Sequence, residues 1–264
     1  MSPSSDRFLA TAIEVVRRAG ATHLAHLATG FRVTRKTKTD IVTDVDIEVE
    51  TMFRALIEER FPHHSVLAEE MADALPPGGG ALHRWLFDPL DGTVNYAHGV
   101  PFFCASLALE VDAAVEVAAV YDPSRNELFT AERGRGAFLN DRPLIVSDTS
   151  RIGDAMIGTG FPHGATMRDP VMERALGEIA PRARGLRRLG SAALDLCYVA
   201  CGRMDGFWDK NLKPWDVAAG ALIASEAGGV VTALDGGAFD AFAGSVLASN
   251  GRLHQEIIDI LRAH

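Results

Sequence analysis

The chain has 264 residues, of which 47% are hydrophobic, so it can form one large domain or two lobes that share a core. Its net charge is −9, and it has no long basic stripe with interleaved aromatic residues, which argues against nucleic acid as a partner. An acidic protein can still bind an anionic substrate when a metal ion supplies the positive charge.

The cysteine content and the first residues favour a cytoplasmic protein. The cysteines, Cys104, Cys197 and Cys201, are odd in number and their spacing fits no zinc site. The opening "MSPSSDRFLA" lacks the basic start and apolar core of a signal peptide. No apolar stretch is long and clean enough to span a membrane, so we expect no membrane partner.

The first half of the chain predicts two helices and a run of strands. Apolar spacing predicts a helix over 6–28, followed by a polar connection over 30–40. The segment 40–62 begins extended and becomes a helix that ends near Pro62. Short strands at 65–70 and 83–92 each run into acidic residues, with a loop rich in Pro and Gly over 71–80 between them. Alternating patterns then predict an antiparallel meander with strands at 103–111, 116–123, 127–134 and 136–140.

From about residue 150 strands and helices alternate, which is typical of an α/β layer. The predicted strands are 155–162, 185–191, 204–210 and 230–234, and the predicted helices are 168–181, 192–202, 214–229 and 250–263. The chain shows no internal repeat and no low-complexity linker. We therefore predict an N-terminal α+β lobe over 1–148 and a C-terminal α/β lobe over 149–264, with the active site in the cleft between them.

Acidic residues recur at the ends of predicted strands and the starts of predicted helices, where α/β folds place their sites. Two like charges about 4 Å apart cost on the order of 4 kcal/mol at an effective dielectric constant of about 20, so acids that meet there need cations. A ligand set of oxygen atoms favours Mg²⁺ or Mn²⁺ over zinc. The acids in question are Asp46, Glu69, Asp88, Asp91 and Asp216.

The stretch "DPLDGTVNY" at 88–96 combines two features of a phosphate site. Asp88 and Asp91 cannot both lie in the core without partners, because an unpaired buried carboxylate is very costly. An Asp-Pro pair alone is more often a turn. Gly92, however, lets the backbone approach a ligand closely, and the N–H groups of Gly92 and Thr93 can hold phosphate oxygens. The stretch therefore predicts metal ligands beside a phosphate cradle.

This stretch resembles the signature of the inositol monophosphatase family, Asp-Pro-(Ile/Leu)-Asp-Gly-Thr-x-Asn-(Phe/Tyr). "WDVAAGALIASEAGG" at 215–229 resembles the second signature of the family. "DIVTDVD", "LAEE" and "RRLGSAALDLCYVACGRMDGFW" resemble further motifs in the same order. The resemblance spans nearly the whole chain and is strongest to the bacterial branch. It implies a layered αβαβα sandwich of the inositol monophosphatase and fructose-1,6-bisphosphatase type.

The resemblance also implies the chemistry: a lithium-sensitive phosphomonoesterase that depends on two or three Mg²⁺ ions, with Mn²⁺ as a substitute. The implied metal ligands are Glu69, Asp88, the Leu90 carbonyl, Asp91 and Asp216. Glu69 and Thr93 would position the attacking water, with Asp46 supporting Thr93. The amides of Gly92 and Thr93 would hold the phosphate. Lys36 would add positive charge nearby, or would be a solvated loop lysine.

Substrate recognition is implied at two places. The carboxylate that binds substrate hydroxyls in the family corresponds to Asp209, where glutamate is usual, and this shorter arm argues against a tight preference for inositol. Asp209 would otherwise be an exposed acid paired with Lys210 or Lys213. The turn Gly190-Ser191-Ala192 resembles the segment whose backbone meets the polyol, and Asp91 can accept a hydroxyl hydrogen bond as well.

Several functions are compatible with these residues. The first is hydrolysis of inositol-1-phosphate or a related polyol or sugar phosphate. The second is hydrolysis of histidinol phosphate, with Asp209 facing an ammonium group. A nucleotide 3′-phosphatase or fructose-1,6-bisphosphatase is less favoured, because no second basic site is obvious beyond Arg187 and Arg188. A different class is a regulatory binding partner of the transcription machinery. The resemblance further implies a homodimer.

Overall fold

The computed structural model describes residues 3–36, 41–71, 82–160 and 170–262. Most of the loop predicted over 71–80 and the end of the strand predicted over 155–162 lie outside these ranges. The helices are α1 (Pro3–Thr29), α2 (Asp44–Arg60), α3 (Thr93–Ala97), α4 (Pro170–Ile179), α5 (Ala192–Ala200), α6 (Pro214–Glu226) and α7 (His254–Arg262). The strands are β1 (Val33–Arg35), β2 (Ile41–Thr43), β3 (Ser65–Ala68), β4 (His83–Asp91), β5 (Cys104–Val111), β6 (Ala114–Asp122), β7 (Glu127–Glu132), β8 (Ala137–Leu139), β9 (Arg142–Pro143), β10 (Met156–Thr159), β11 (Gly185–Arg187), β12 (Gly206–Lys210), β13 (Val230–Thr232) and β14 (Ser245–Ser249).

The first large sheet contains β3 to β9 in sequence order. β3 pairs with β4 in parallel, and the other neighbours pair antiparallel, which confirms the predicted meander. β4 and β5 are buried on both faces, because helices cover both sides of the sheet. α1 and α2 pack on one face around Phe53, Trp85 and Leu107. α5 and α6 pack on the other face around Leu86 and Ala108.

The second sheet has the strand order β11-β10-β12-β14-β13. One face packs on α5 and α6, through residues such as Phe207 and Val246. The other face packs on α4 and α7, through residues such as Trp208 and Leu247. Helices therefore lie outside each sheet and between the two sheets, in five layers. In the described ranges, no helix combines the length and the hydrophobicity needed to cross a bilayer.

Three strands depart from the predicted elements: β14, β1 and the two-residue β9, which pairs with β8. β14 was not predicted, and it runs antiparallel to both β12 and β13 inside the second sheet. Its sequence "SVLAS" is short and rich in small residues, so its hydrophobic pattern is weak, although Val246, Leu247 and Ala248 are fully buried. The segment predicted as a polar connection contains β1, which pairs with β2 although its residues are exposed. The strand-helix alternation builds a mixed sheet, in which β10 is parallel to β11 and β12 and β14 is antiparallel to β12 and β13.

The middle layer requires close approach of α5 and α6. A Cβ atom at Gly220 of α6 would lie 2.6 Å from the Cβ atom of Leu196 in α5. A change of rotamer cannot relieve this contact, because both atoms are fixed by the backbone. The glycine therefore sets the separation of the two helices.

We expect Gly220→Ala to lower the free energy of unfolding by about 1–3 kcal/mol, the usual cost of overpacking a core. This loss should exceed the gain of up to about 1 kcal/mol that alanine brings in a helix interior. Urea unfolding monitored by circular dichroism measures the difference. Gly177→Ala in α4 is the matched control, because nothing lies within 4 Å of its new Cβ atom. That control should gain stability; a gain for Gly220→Ala too would show that the helices separate at no cost.

Candidate active site

An irregularity in β4 shapes the acidic stretch. Asp88 pairs with Ser106 and Asp91 pairs with Cys104, so two residues of β4 face one residue of β5 between these pairs. This is a β-bulge, which re-aims the side chains around it. The bulge contains Pro89, which has no N–H to donate, and the next N–H, that of Leu90, donates to Asp88 Oδ1 at 2.9 Å. Asp88 is buried there, and Asp91 is half-buried.

Gly92 ends the bulge in a conformation that requires glycine. Its φ of +96° is left-handed, and an added Cβ atom would lie 2.9 Å from the carbonyl oxygen of Phe102. The chain then turns into α3 at Thr93. The Thr93 hydroxyl donates to the Leu90 carbonyl at 2.9 Å, and it lies 3.5 Å from Asp46 Oδ1.

Asp46 is held at the start of α2 by its own cap. Its Oδ2 accepts from the Thr43 N–H at 2.8 Å and from the Thr43 hydroxyl at 2.5 Å. Burial raises the pKa of the Asp46 carboxyl to about 6, against the lowering effect of these bonds. Asp46 thus stands behind Thr93, as the resemblance implies.

Glu69 follows the end of β3 and lies near the acidic end of β4. Because β3 runs parallel to β4, with Ala68 opposite Phe87, the ends of both strands meet and Glu69 follows one residue later. Lys36 Nζ lies 3.2 Å from Glu69 Oε1 and 2.5 Å from Glu70 Oε1. Burial lowers the pKa of Lys36, but the charges of these glutamates more than reverse that effect, so it is raised. Lys36 therefore pairs with both glutamates, although it remains an exposed residue.

Asp216 comes from the middle layer. It is the third residue of α6, and its Oδ2 accepts from the Lys213 N–H at 2.7 Å. Burial raises the pKa of Asp216 well above its usual range, and the charges of Asp91 and Glu69 add to this. The pKa of Asp88 is likewise raised by burial and then by Glu69, Asp91 and Asp216. Burial and the neighbouring carboxylates thus both disfavour the ionised forms of these aspartates.

Asp91 is held at the start of α5. Its Oδ2 accepts from the Ser191 hydroxyl and from the Ala193 N–H, both at 2.7 Å, at the start of α5. Burial raises the pKa of Asp91 to about 6, although these hydrogen bonds lower it. The turn at Gly190 is thereby held beside the acidic stretch.

One cavity of about 400 Å³ unites these groups. Asp46 and Lys36 do not line it: Asp46 stands behind Thr93, and Lys36 contacts Glu69. Of the predicted residues, the cavity is lined by Glu69, Asp88, Leu90, Asp91, Gly92, Thr93, Gly190, Ser191, Ala192, Asp209 and Asp216.

Asp209 lies at the end of β12. It is half-buried, and its Oδ1 accepts from the main-chain N–H of Lys210 at 2.7 Å, so the reading as an exposed surface acid is wrong. Burial raises its pKa to about 6. A Cβ atom at Gly160 would overlap the Asp209 carboxylate, so glycine makes room for this side chain.

Two further residues of the cavity had no predicted role. Asn95 Nδ2 donates to the Phe102 carbonyl at 2.8 Å and to the Leu189 carbonyl at 2.7 Å, which ties α3 to the turn before Gly190. Asp195 of α5 is buried, and its Oδ1 has no hydrogen-bond partner in the described ranges. Two features of the sequence could have pointed to these residues. Asn95 is an amide within "DPLDGTVNY", and Asp195 is a single acid within the apolar helix "AALDLCYVA".

The donor set fits hard divalent cations such as Mg²⁺. Among the described residues the cavity lining contains no histidine and no cysteine; its candidate ligands are carboxylates, backbone and hydroxyl oxygens, and the side-chain amide oxygens of Asn95 and Asn211. In the same ranges no three acidic, histidine or cysteine side chains form a ready metal-binding group as they stand. Protein donors instead hold each carboxylate: Lys36 holds Glu69, and uncharged donors hold the aspartates. Burial is the main cause of the raised pKa values of these aspartates, and the neighbouring carboxylates add to it.

Comparison with known proteins finds relatives of one family along nearly the whole chain, the family that the sequence motifs resemble. A model of the inositol monophosphatase family matches residues 4–264. The putative Nus factor SuhB of Neisseria meningitidis serogroup B is 40% identical over 260 residues, 97% of this chain and 98% of that protein. The inositol-1-monophosphatase of Rhizobium meliloti is 41% identical over 238 residues, 88% of this chain and 86% of that protein. The crystal structure of the extragenic suppressor protein suhB from Bartonella henselae superimposes with a TM-score of 0.91 at 36% identity, covering 97% of this chain and 99% of that one. This agreement confirms the predicted fold class.

Proposed function

The chain belongs to the inositol monophosphatase family, and we propose that it is a Mg²⁺-dependent phosphomonoesterase acting on inositol-1-phosphate or a related polyol or sugar phosphate. The observation that carries this proposal is the meeting of Glu69, Asp88, Asp91 and Asp216 at one cavity, beside the Gly92 turn. Electrostatic repulsion destabilises such a cluster of carboxylates by itself, and bound cations would relieve that repulsion.

Under this proposal the residues that hold two or three Mg²⁺ ions, or Mn²⁺ in their place, are the four carboxylates and the Leu90 carbonyl. The ions would supply the charge that activates water and stabilises the phosphoryl oxygens. Lithium sensitivity belongs to the same proposal.

The remaining roles fall to groups around Thr93. The Thr93 hydroxyl donates a hydrogen bond to the Leu90 carbonyl, so its lone pairs would be free to accept a hydrogen bond from the attacking water. Glu69 would take up the proton of that water, and Asp46 would keep Thr93 in place. The N–H groups of Gly92 and Thr93 would hold phosphate oxygens, with Lys36 adding charge through Glu69.

No covalent phosphoenzyme is part of the proposal. Cys104 lies 3.6 Å from the Ser191 hydroxyl, but it is buried, and burial raises its pKa well above the usual value. A thiol in that state is a poor nucleophile. The Ser106 hydroxyl donates to the Trp215 carbonyl at 3.3 Å, which suits a structural role.

The leaving group would lie toward the second sheet. Asp209 and the backbone of Gly190 to Ala192 line that end of the cavity and would contact hydroxyl groups, together with Asp91. Asp195 adds a second acid there. Two acids at this end also favour an ammonium group, so histidinol phosphate is the second candidate substrate.

A regulatory role is a further candidate, supported by the relative named as a putative Nus factor. It would concern a partner in the transcription machinery and would not exclude catalysis. The proposal also includes a cytoplasmic homodimer, which rests on the resemblance to the family.

Phosphate release in Mg²⁺ tests the proposal with inositol-1-phosphate, histidinol phosphate, fructose-1,6-bisphosphate and a 3′-phosphonucleotide as substrates. A kcat/KM for inositol-1-phosphate that exceeds the others by tenfold or more, about 1.4 kcal/mol in transition-state binding, would support inositol-1-phosphate as the substrate. EDTA should abolish release. A tenfold preference for histidinol phosphate would keep the mechanism and change the substrate. Absence of release from all four substrates would overturn the phosphatase proposal for this panel and bring the regulatory role forward.

A further inference from the structure

A second buried acid on α2 lies one turn after Asp46. Glu50 is fully buried, and because residues four apart share one face of a helix, it projects on the same side as Asp46. Nothing in the proposed chemistry uses Glu50 directly. Its carboxylate points toward the main chain that follows β3.

The contacts of Glu50 are with the backbone beside Glu69. Its Oε2 accepts from the Glu70 N–H at 2.7 Å, and its Oε1 accepts from the Met71 N–H at 3.0 Å. Arg54 completes the arrangement: its Nε donates to Glu50 Oε1 at 2.8 Å, and its guanidinium donates to the Met71 carbonyl at 3.0 Å. Both oxygens of one carboxylate thus hold two successive N–H groups.

This arrangement fixes the direction of the chain where regular pairing has ended. β3 stops at Ala68, so the N–H groups of Glu70 and Met71 have no strand ladder to join. Glu69 is the residue directly before the first of them. Holding the Glu70 N–H therefore orients the peptide that connects Glu69 to Glu70.

Stability alone does not account for Glu50. A buried ion pair is often no more stabilising than apolar residues of the same volume, because both charges lose their hydration. Two charge-assisted bonds to successive amides add directional constraint instead. The same face of α2 then supports both halves of the site, Thr93 through Asp46 and Glu69 through Glu50.

We propose that Glu50 is a positioning residue, which sets the orientation of the Glu69 carboxylate for binding divalent cations; this rests on the proposed function. Partners that orient a metal ligand from behind typically change metal affinity about 10–100-fold when they are replaced. Glu50 would act through the backbone of its neighbours and would not touch the substrate.

Mg²⁺ titration of the substrate-free protein by calorimetry tests this proposal. In Glu50→Gln, an NH₂ group replaces one acceptor oxygen and faces a backbone N–H. We expect the Kd for Mg²⁺ to rise about 10–100-fold, with KM for the substrate little changed at saturating Mg²⁺. Glu14→Gln is the matched control, because Glu14 also pairs with an arginine, Arg60, at 2.7 Å. That control should bind Mg²⁺ like the wild type.

A second variant covers the event that Glu50→Gln does not fold. Glu50→Asp keeps the charge but shortens the arm, so it cannot hold both amides, and it should weaken Mg²⁺ binding as well. A folded variant of either kind with wild-type Mg²⁺ affinity would overturn the positioning role alone. A wild-type protein that neither binds Mg²⁺ nor releases phosphate would overturn the proposed function, and this inference with it.

Discussion

Asp88→Asn is expected to reduce Mg²⁺-dependent phosphate release by at least about 10²–10³-fold, the usual loss when one preorganised electrostatic group is removed from a site. The asparagine oxygen can still accept from the Leu90 N–H, so the bulge should persist. Without metal the variant should be at least as stable as the wild type, because a buried carboxylate repelled by three neighbours is gone. Phosphate release and thermal unfolding in EDTA measure both effects.

Asp122→Asn is the matched control for this change. Asp122 is also fully buried, also precedes a proline, and also accepts from the N–H two residues later, that of Ser124 at 2.8 Å. It pairs with Arg125 and does not line the cavity. Its variant should lose stability and keep kcat/KM. Equal loss of activity in both variants would show that Asp88 matters through folding and not through cation binding.

Mg²⁺ itself should separate the two variants. A ligand at 100 times its Kd stabilises the folded state by about 2.7 kcal/mol. We expect Mg²⁺ to raise the unfolding midpoint of the wild type and of Asp122→Asn, but not that of Asp88→Asn. A Mg²⁺-dependent rise in Asp88→Asn as large as in the wild type would contradict the assignment of Asp88 as a ligand.

Gly92→Ala should have a comparable effect on activity by a different route. At φ +96° a Cβ atom is strained, and here it would also press on the Phe102 carbonyl at 2.9 Å. We expect a loss of about 1–3 kcal/mol in the free energy of unfolding. We also expect a loss of about 10²-fold or more in kcat/KM, because the turn that carries Thr93 must shift.

Gly99→Ala provides the comparison for that loss. Gly99 follows α3 with a φ of +69°, but an added Cβ atom there meets nothing within 4 Å. It should lose some stability through backbone strain and keep full activity. Steady-state kinetics measures kcat/KM of both variants, and urea unfolding measures their free energies of unfolding. Retention of wild-type kcat/KM by Gly92→Ala would remove the Gly92 turn from the catalytic proposal.

The parts of the site that lie close together in sequence were predictable. Asp88, Asp91, Gly92 and Thr93 stand in one stretch, and their chemistry is evident from residue type and spacing. The roles of Glu50 and Asn95 were not, because each acts through main-chain atoms of a distant segment, which leave no mark on side-chain identity. A glutamate at an amphipathic helix position looks solvent-exposed until the chain after β3 is folded against it.

The fold shows a similar division. The meander of the first sheet follows from alternating hydrophobic residues and turn residues, which are local signals. β14 has few large apolar residues, and it is a strand because β12 and β13 lie on either side of it. Lys36 was ambiguous for the same reason, since its pairing depends on Glu69 and Glu70, more than thirty residues away.

The bulge in β4 has an evolutionary consequence. The irregular pairing lies at the very end of the strand, after Trp85 and Phe87 have already joined the core. A descendant that lost one residue between Asp88 and Asp91 would pair Asp88 with Ser106 and Asp91 with Cys104 in regular register, and the bulge that re-aims the side chains around it would be gone. Loss of a single codon is therefore expected to remove the arrangement of the acidic stretch while Trp85 and Phe87 keep their places in the core.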